Sequence, residues 1–121
     1  MPKPPSVTEL LHQTLLGDAW ENAEVGVAIF GDDHTYLATN EAFCKLTGYA
    51  RAELVKLRAG TDLAGDEETR SLFPSVIGGS RRIGTGALKR KDGTVIPVHF
   101  MVVQTTVSRL PYFISLMWRE D

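Results

Sequence analysis

Cysteine is nearly absent from this sequence, and no long apolar run occurs. Cys44 is the only cysteine among 121 residues, which excludes an intrachain disulfide and a zinc site built on cysteine pairs. No apolar stretch reaches the roughly 18 residues that span a bilayer, and residues 1–11 lack the apolar centre of a signal peptide. The sequence therefore predicts a cytoplasmic protein that makes no contact with a membrane.

The net charge is also small, because 13 lysines and arginines face 15 aspartates and glutamates. A formal net charge of −2 argues against the basic surface by which proteins bind nucleic acid. The chain is 43% hydrophobic and 23% charged, which excludes a disordered tail and a coiled-coil rod. Its length predicts one domain with one hydrophobic core.

Motifs of catalysis and metal binding are missing as well. There is no G-x-S-x-G elbow, no cysteine–histidine pairing and no H-E-x-x-H helix motif. The acidic run Asp66-Glu67-Glu68 fans around a predicted helix start, where the helix dipole favours acidic side chains. The sequence therefore predicts a protein that is not an enzyme, without catalytic or metal-binding residues.

An amphipathic helix is predicted after the proline-rich residues 1–5. Ser6 and Glu9 form a capping box at its start, and Gly17 weakens its continuation to Asn22. The apolar residues at helical spacing on its predicted face include Val7, Leu10, Leu11 and Leu15. This face needs a partner surface, which is either the sheet of the same chain or a second copy.

The middle of the chain alternates strand and helix signals. The predicted elements are strands at 25–30 and 34–38 and helices at 41–47, at 51–57 and from 66 onward. Asn40 is a predicted helix N-cap and Gly48 a left-handed helix stop, whereas Ala50 offers no side-chain cap. Pro74 predicts a kink or an early end in the last helix.

The last third of the sequence predicts three strands, at 82–90, 94–105 and 109–119. Asp92-Gly93 is a hairpin turn between the first two, and Pro97 predicts an edge position or a bulge for the second. Strands at both ends with helices between them indicate an α+β fold with one antiparallel sheet and helices on one face.

Residues 20–119 resemble a PAS domain. The matching segments are Glu21-Asn22-Ala23, residues 25–30, Asp32-Asp33, the block NEAFCKLTGY at 40–49, Glu53-Leu54 and residues 90–94. The block at 40–49 is the most specific of these. The resemblance implies a PAS-like five-stranded antiparallel sheet, with an N-terminal arm and amphipathic helix at 1–19 and the PAS domain at 20–121.

The resemblance also implies a function. PAS domains are sensory and protein-interaction modules of larger regulators, in two-component signal transduction or transcription regulation. Many form dimers through an N-terminal helix and relay packing changes to an output domain. We therefore expect a homodimer joined through the helix at residues 7–15, and an output domain on the same chain or on a partner.

A receptor for flavin, haem or an apolar molecule is the alternative function. The light-sensing LOV type carries a reactive cysteine that the stretch 57–66 lacks, and the stretch 57–79 has no histidine for haem, so no cofactor is assigned. The candidate pocket residues are Val27, Ile29, Phe43, Leu46, Phe73, Val76, Ile77, Ile96, Val98, His99, Phe100 and Met117. These side chains suit a filled core as well as a pocket, and a filled core is favoured because no polar groups converge among them.

Overall fold

The computed structural model describes residues 15–79 and 82–120, except for the side chains of residues 15–18. The helices are α1 (Leu15–Asn22), α2 (Glu41–Thr47), α3 (Arg51–Leu54) and α4 (Glu67–Ile77). The strands are β1 (Gly26–Phe30), β2 (Tyr36–Thr39), β3 (Ile83–Lys89), β4 (Val95–Val107) and β5 (Leu110–Arg119). The strands form one antiparallel sheet in the order β2-β1-β5-β4-β3, which confirms the predicted α+β architecture.

The two faces of the sheet differ because side chains alternate along each strand. Inner-face residues such as Phe30, Val98, Phe100 and Phe113 are buried and join one hydrophobic cluster with the buried Phe43 of α2. The core therefore lies between one face of the sheet and the helices. In the part of the chain that the structure describes, no helix is both long and apolar enough to cross a bilayer.

The predicted helix boundaries at Asn40, Gly48 and Asp66 are confirmed. The Asn40 side chain accepts a hydrogen bond from the Phe43 N–H, and the Asp66 side chain accepts one from the Thr69 N–H. Gly48 has φ of 79°, a left-handed conformation that glycine adopts without strain, so α2 ends there.

Helices α3 and α4 differ from their predicted lengths. Helix α3 ends at Leu54 rather than at Leu57. Beyond Leu54 the chain continues in turns whose hydrogen bonds join residues three positions apart, such as the bond from the Leu57 N–H to the Leu54 carbonyl. Helix α4 continues past Pro74 to Ile77, so the predicted early end is wrong. The Pro74 carbonyl accepts from the Gly78 N–H at 3.0 Å, and α4 buries Val76 in the core.

Strand β4 lies between β3 and β5, so the edge position predicted from Pro97 is wrong. The pairing of β4 with β3 also runs in register past Pro97, which excludes a bulge there. Pro97 is tolerated because its carbonyl accepts from the Glu120 N–H, just beyond the end of β5. The missing N–H of Pro97 therefore removes a hydrogen bond only at the end of the β4–β5 pairing.

Candidate functional site

A cavity of about 80 Å³ lies between the inner face of the sheet and α4. Five of the predicted pocket residues line it: Phe73, Val76, Val98, Phe100 and Met117. It also has lining residues that the sequence pattern did not single out, among them Phe30, Tyr36, Leu63, Thr69, Leu88 and Ser115. The structure thus shows an open space where a filled core was favoured.

Small residues leave this space open. The lining includes Ala59, Gly60, Ala64, Gly86 and Ala87, which have no side-chain atoms beyond Cβ. Larger side chains at these positions would fill the interior to ordinary packing density.

Three hydrogen bonds join strand β3 to α4 and to the loop before α4. The Thr69 hydroxyl of α4 accepts a hydrogen bond from the Ala87 N–H at 2.9 Å. The Gly65 N–H donates to the Ala87 carbonyl at 2.8 Å, and the Lys89 N–H donates to the Leu63 carbonyl at 2.9 Å. Helix α4 and the loop before it are therefore fastened to β3, and the core does not close onto the cavity.

Three hydroxyl-bearing residues line this mainly apolar space: Tyr36, Thr69 and Ser115. Tyr36 is 4% exposed and Ser115 is 5% exposed. Burial raises the pKa of Tyr36, and the negative charge of Asp62 raises it further, so the phenol stays protonated. The three hydroxyls are the polar side-chain groups of the lining.

The other predicted pocket residues lie elsewhere. Phe43 and Ile96 are buried in the core but do not line the cavity, and Ile77 packs against the buried cluster. Leu46 lies in a separate surface groove with Lys45 and Arg90.

Val27, Ile29 and His99 point to the outer face of the sheet, because their strand neighbours Ala28 and Val98 point inward. His99 stacks on Trp118 with ring centroids 5.6 Å apart, so the structure does not bring this histidine to the cavity.

The predicted dimer residues Val7, Leu10 and Leu11 lie outside the described residues. Leu15 begins α1, but its side chain also lies outside them.

Asn40 joins α1 to the body of the domain. Its side-chain oxygen accepts from the Val27 N–H at 2.8 Å and from the Phe43 N–H at 2.9 Å. Its side-chain nitrogen donates to the carbonyls of Trp20 at 2.9 Å and Val25 at 3.0 Å. The side chain is fully buried, so four hydrogen bonds satisfy it and fix α1, β1 and α2 to one another.

A second link between α1 and the domain is ionic. Arg51 donates to both carboxylate oxygens of Glu21, at 2.7 Å and 3.0 Å, and also to the carbonyl of Thr39 at 3.1 Å. Both charged side chains are about one-third exposed, at 35% for Arg51 and 31% for Glu21. Because Nη2 of Arg51 bonds to the Glu21 carboxylate while Nε bonds to the Thr39 carbonyl, the guanidinium orients the end of α1 against β2 and α3.

The structure offers no other reactive centre in the described ranges. Residues 15–79 and 82–120 contain no group of three or more histidine, cysteine, aspartate or glutamate side chains placed to hold a metal ion. Cys44 is half-buried, with its thiol 3.8 Å from the Thr39 hydroxyl.

The residues around the cavity do not fit flavin or haem. Sites for ligands of that size enclose about 300–1,000 Å³, whereas this cavity has about 80 Å³. Its lining contains neither cysteine nor histidine, the side chains that would bond a flavin or ligate haem iron.

Comparison with known proteins identifies the fold. The sequence matches no family model and no curated protein. Among solved structures, a PAS domain from Desulfitobacterium hafniense superimposes with a TM-score of 0.72 at 22% identity, over 83% of this chain and 96% of the other. A PAS domain of a two-component sensor histidine kinase gives a TM-score of 0.73 at 16% identity, over 83% and 88%.

An RNA-binding Light-Oxygen-Voltage receptor is also similar. It gives a TM-score of 0.75 at 24% identity and covers 98% of this chain, which spans 37% of that receptor. These similarities extend over most of the described residues, and they agree with the strand order and the short helices described above. The chain therefore has the fold of a PAS domain.

Proposed function

We propose that this chain is a sensory and protein-interaction module of a larger signal-transduction or transcription regulator. In this proposal it forms a homodimer and relays changes in packing to an output domain, and it has no catalytic role of its own. The observation that carries the proposal is the apolar outer face of the sheet. The shared fold with a PAS domain of a sensor histidine kinase supports it.

The outer face carries apolar side chains in rows across the strands. Ile83 of β3 pairs with Met101 of β4, Met101 pairs with Leu116 of β5, and Leu116 pairs with Val27 of β1. A second row joins Val103, Ile114 and Ile29.

Several residues of this face are exposed to solvent. Ile83 is 65% exposed, Val103 44% and Trp118 38%. Apolar patches that continue across several strands are typical of protein interfaces. We therefore propose that this face packs against the apolar stripe of the N-terminal helix, either in the same chain or in a second copy.

The links at Asn40 and Arg51 give a physical route for the relay. Because Asn40 bonds to α1, β1 and α2 together, a change in packing at the sheet would move the end of α1. In a dimer that joins through residues 7–15, that movement would alter the pairing of the two N-terminal helices.

The oligomeric state tests this proposal. Sedimentation velocity of the whole chain should show a dimer, and Val103→Glu should dissociate it by burying a charge in the interface. Val55→Glu is a matched control, because Val55 is also 44% exposed but lies at the end of α3, away from the outer face. A monomeric parent, or equal dimerisation of the parent and Val103→Glu, would refute the dimer.

A second candidate function, a receptor for a small molecule, is favoured by the cavity and its mainly apolar lining. Native mass spectrometry of freshly purified protein, together with an absorbance spectrum, tests it. A small mass excess without a visible absorption band is the expected result. A visible band would indicate flavin or haem and contradict the size of the cavity.

A further inference from the structure

We propose that the surface groove beside α2 binds an acidic segment of a partner protein, in which one large apolar side chain is flanked by glutamates or aspartates. The inference rests on the protein-interaction role proposed above, and it names the class of partner and the surface that the partner contacts. This basic groove is lined by the cationic and apolar side chains of Lys45, Leu46, Arg90, Ile96, Met117 and Arg119.

Cationic side chains dominate the charge of the basic groove. Lys45 lies in α2, Arg90 directly follows β3, and Arg119 ends β5. Among the described residues that line the groove, Glu24 is the only carboxylate. None of the ion pairs between described residues engages the three cations. A partner segment that carries several carboxylates therefore complements this surface, and a basic segment would be repelled.

Arg90 is oriented before any partner binds. Its Nε donates to the Leu46 carbonyl at 3.1 Å, and its Nη2 donates to the Lys45 carbonyl at 3.4 Å. A guanidinium has five N–H donors, so these two bonds leave donors for a carboxylate. Because the side chain is already held at the end of α2, a partner that binds it loses little side-chain entropy. We therefore expect Arg90 to be the main anchor for an acidic side chain.

The floor of the basic groove is apolar. Leu46 and Met117 pack against the hydrophobic cluster but remain partly exposed, and Ile96 is 7% exposed. The groove encloses about 330 Å³, which lies at the lower end of the roughly 300–1,000 Å³ of ligand sites. A large aliphatic side chain of the partner would cover this floor and remove apolar surface from water.

The placement of the cations favours a peptide over a small carboxylic acid. Lys45, Arg90 and Arg119 belong to a helix, a hairpin and the end of a strand, so they lie around the groove on separate elements. One carboxylate has two oxygens and is satisfied by a single guanidinium. Several acidic side chains around one apolar residue can meet all three cations at once.

The basic groove also borders the connection between α1 and the sheet. Glu24 and Gly26 line it, and the Val25 carbonyl between them accepts a hydrogen bond from the Asn40 side chain. A bound segment would therefore contact the stretch of chain that Asn40 ties to α1. Binding of the partner would in this way bias the packing of α1, which is the movement that the proposed relay uses.

A titration with matched pentapeptides tests the proposal. The acidic probe is acetyl-Glu-Glu-Leu-Glu-Glu-amide, the neutral probe has glutamine in place of each glutamate, and the third probe has alanine in place of leucine. Backbone amide shifts of the whole chain, followed by NMR, report where each probe binds. The acidic probe should bind at least about tenfold more tightly than the neutral one and about threefold more tightly than the alanine one. Its affinity should fall as the salt concentration rises.

Arg90→Gln should weaken binding of the acidic probe at least about fivefold. Arg70→Gln is the matched control, because Arg70 is an arginine of α4 that does not line the groove. This variant should bind the acidic probe as the parent does. If Arg90→Gln does not fold, Arg119→Gln removes an exposed cation at the end of β5 instead, and binding should weaken at least about twofold.

Equal affinity for the acidic and neutral probes would overturn the proposal, and so would a lack of saturable shifts with the acidic probe. Unchanged affinity in both Arg90→Gln and Arg119→Gln would also overturn it. Hexanoate that binds as tightly as the acidic probe would assign the groove to small carboxylic acids instead. Shifts at Leu46 and Arg90 when the protein alone is concentrated would assign it to a second copy.

Val103→Glu separates this inference from the proposed dimer, because Val103 does not line the basic groove. This variant should bind the acidic probe as the parent does. A monomeric parent that binds the acidic probe would refute the dimer alone. A dimeric parent that does not bind the probe would refute the acidic partner alone.

Discussion

The side-chain nitrogen of Asn40 lies 2.9 Å from the carbonyl oxygen of Trp20, and the hydrogen bond between them fastens α1 to the start of α2. The oxygen of the same amide caps α2 through the Phe43 N–H. One buried side chain thus serves both as a helix cap and as the connection to the preceding helix. This double role makes Asn40 the most informative position for mutation.

Asn40→Ala should lower the free energy of unfolding by at least about 3 kcal/mol, because it leaves buried N–H and carbonyl groups without partners. Urea unfolding of the two proteins measures this change. Asn40→Asp is the informative companion, since it keeps the acceptor for Phe43 but turns an oxygen toward the Trp20 carbonyl. Amide exchange should then speed up in α1 more than in α2, and equal acceleration would contradict the double role.

Arg51→Lys should cost about 1 kcal/mol of stability, since a lysine has one nitrogen and cannot bond to the Glu21 carboxylate through one donor atom and to the Thr39 carbonyl through another. Half-exposed ion pairs are screened by salt, so the difference should shrink at high ionic strength. Arg70→Lys is the control, because its pair with Glu67 is more exposed, at 44% and 79%. A similar loss in both variants would argue against a special role for Arg51.

Gly60→Ala should destabilise the protein more than Gly93→Ala does. Both glycines have positive φ, 79° and 88°, so alanine costs about 1–2 kcal/mol of backbone strain at either site. At Gly60 the added Cβ would also lie 2.2 Å from the Phe73 ring, whereas at Gly93 it would meet nothing within 4 Å. Thermal unfolding of the two variants separates the clash from the strain, and equal losses would show that the Phe73 ring moves aside freely.

Acid should destabilise the protein by protonating Asp66, the N-cap of α4. Hydrogen bonds from the Thr69 side chain and N–H lower the pKa of Asp66 below its ordinary value of 3.8. A lowered pKa in the folded state stabilises the fold above pH 3.8, and this contribution is lost as the pH falls through the folded pKa. Urea midpoints at pH 6 and pH 3 should therefore differ less in Asp66→Asn than in the parent.

Glu68→Gln is the control for that experiment, since it removes a carboxylate from the same turn but leaves the cap in place. Its loss of stability between pH 6 and pH 3 should match that of the parent. If Asp66→Asn also matched the parent, the cap of α4 would have no part in the acid sensitivity.

Local features of this fold could be predicted from the sequence. The cap at Asn40, the stop at Gly48 and the turn at Gly93 involve only residues a few positions apart. The alternation along β4 places successive residues on opposite faces, but both faces are largely apolar, so the folded chain decides which of them is buried. Such signals depend on backbone geometry and on the period of the side chains, which short stretches of sequence contain in full.

The candidate site required the tertiary structure. Ser115 lies in an apolar strand and carries no motif, and only the folded chain shows that it lines the cavity. His99 lies one position away from Phe100, but the alternation of β4 turns it to the outer face.

The place of Pro97 in the sheet and the long-range hydrogen bonds of Asn40 also depend on the tertiary structure. Pro97 is acceptable inside the sheet because β5 ends beside it, and Asn40 reaches Trp20, twenty residues earlier in the chain. The sequence by itself determined the helix boundaries at Asn40, Gly48 and Asp66 and which residues are apolar. Strand order, register and the shape of the cavity depend on contacts between distant residues, and those contacts exist only in the folded chain.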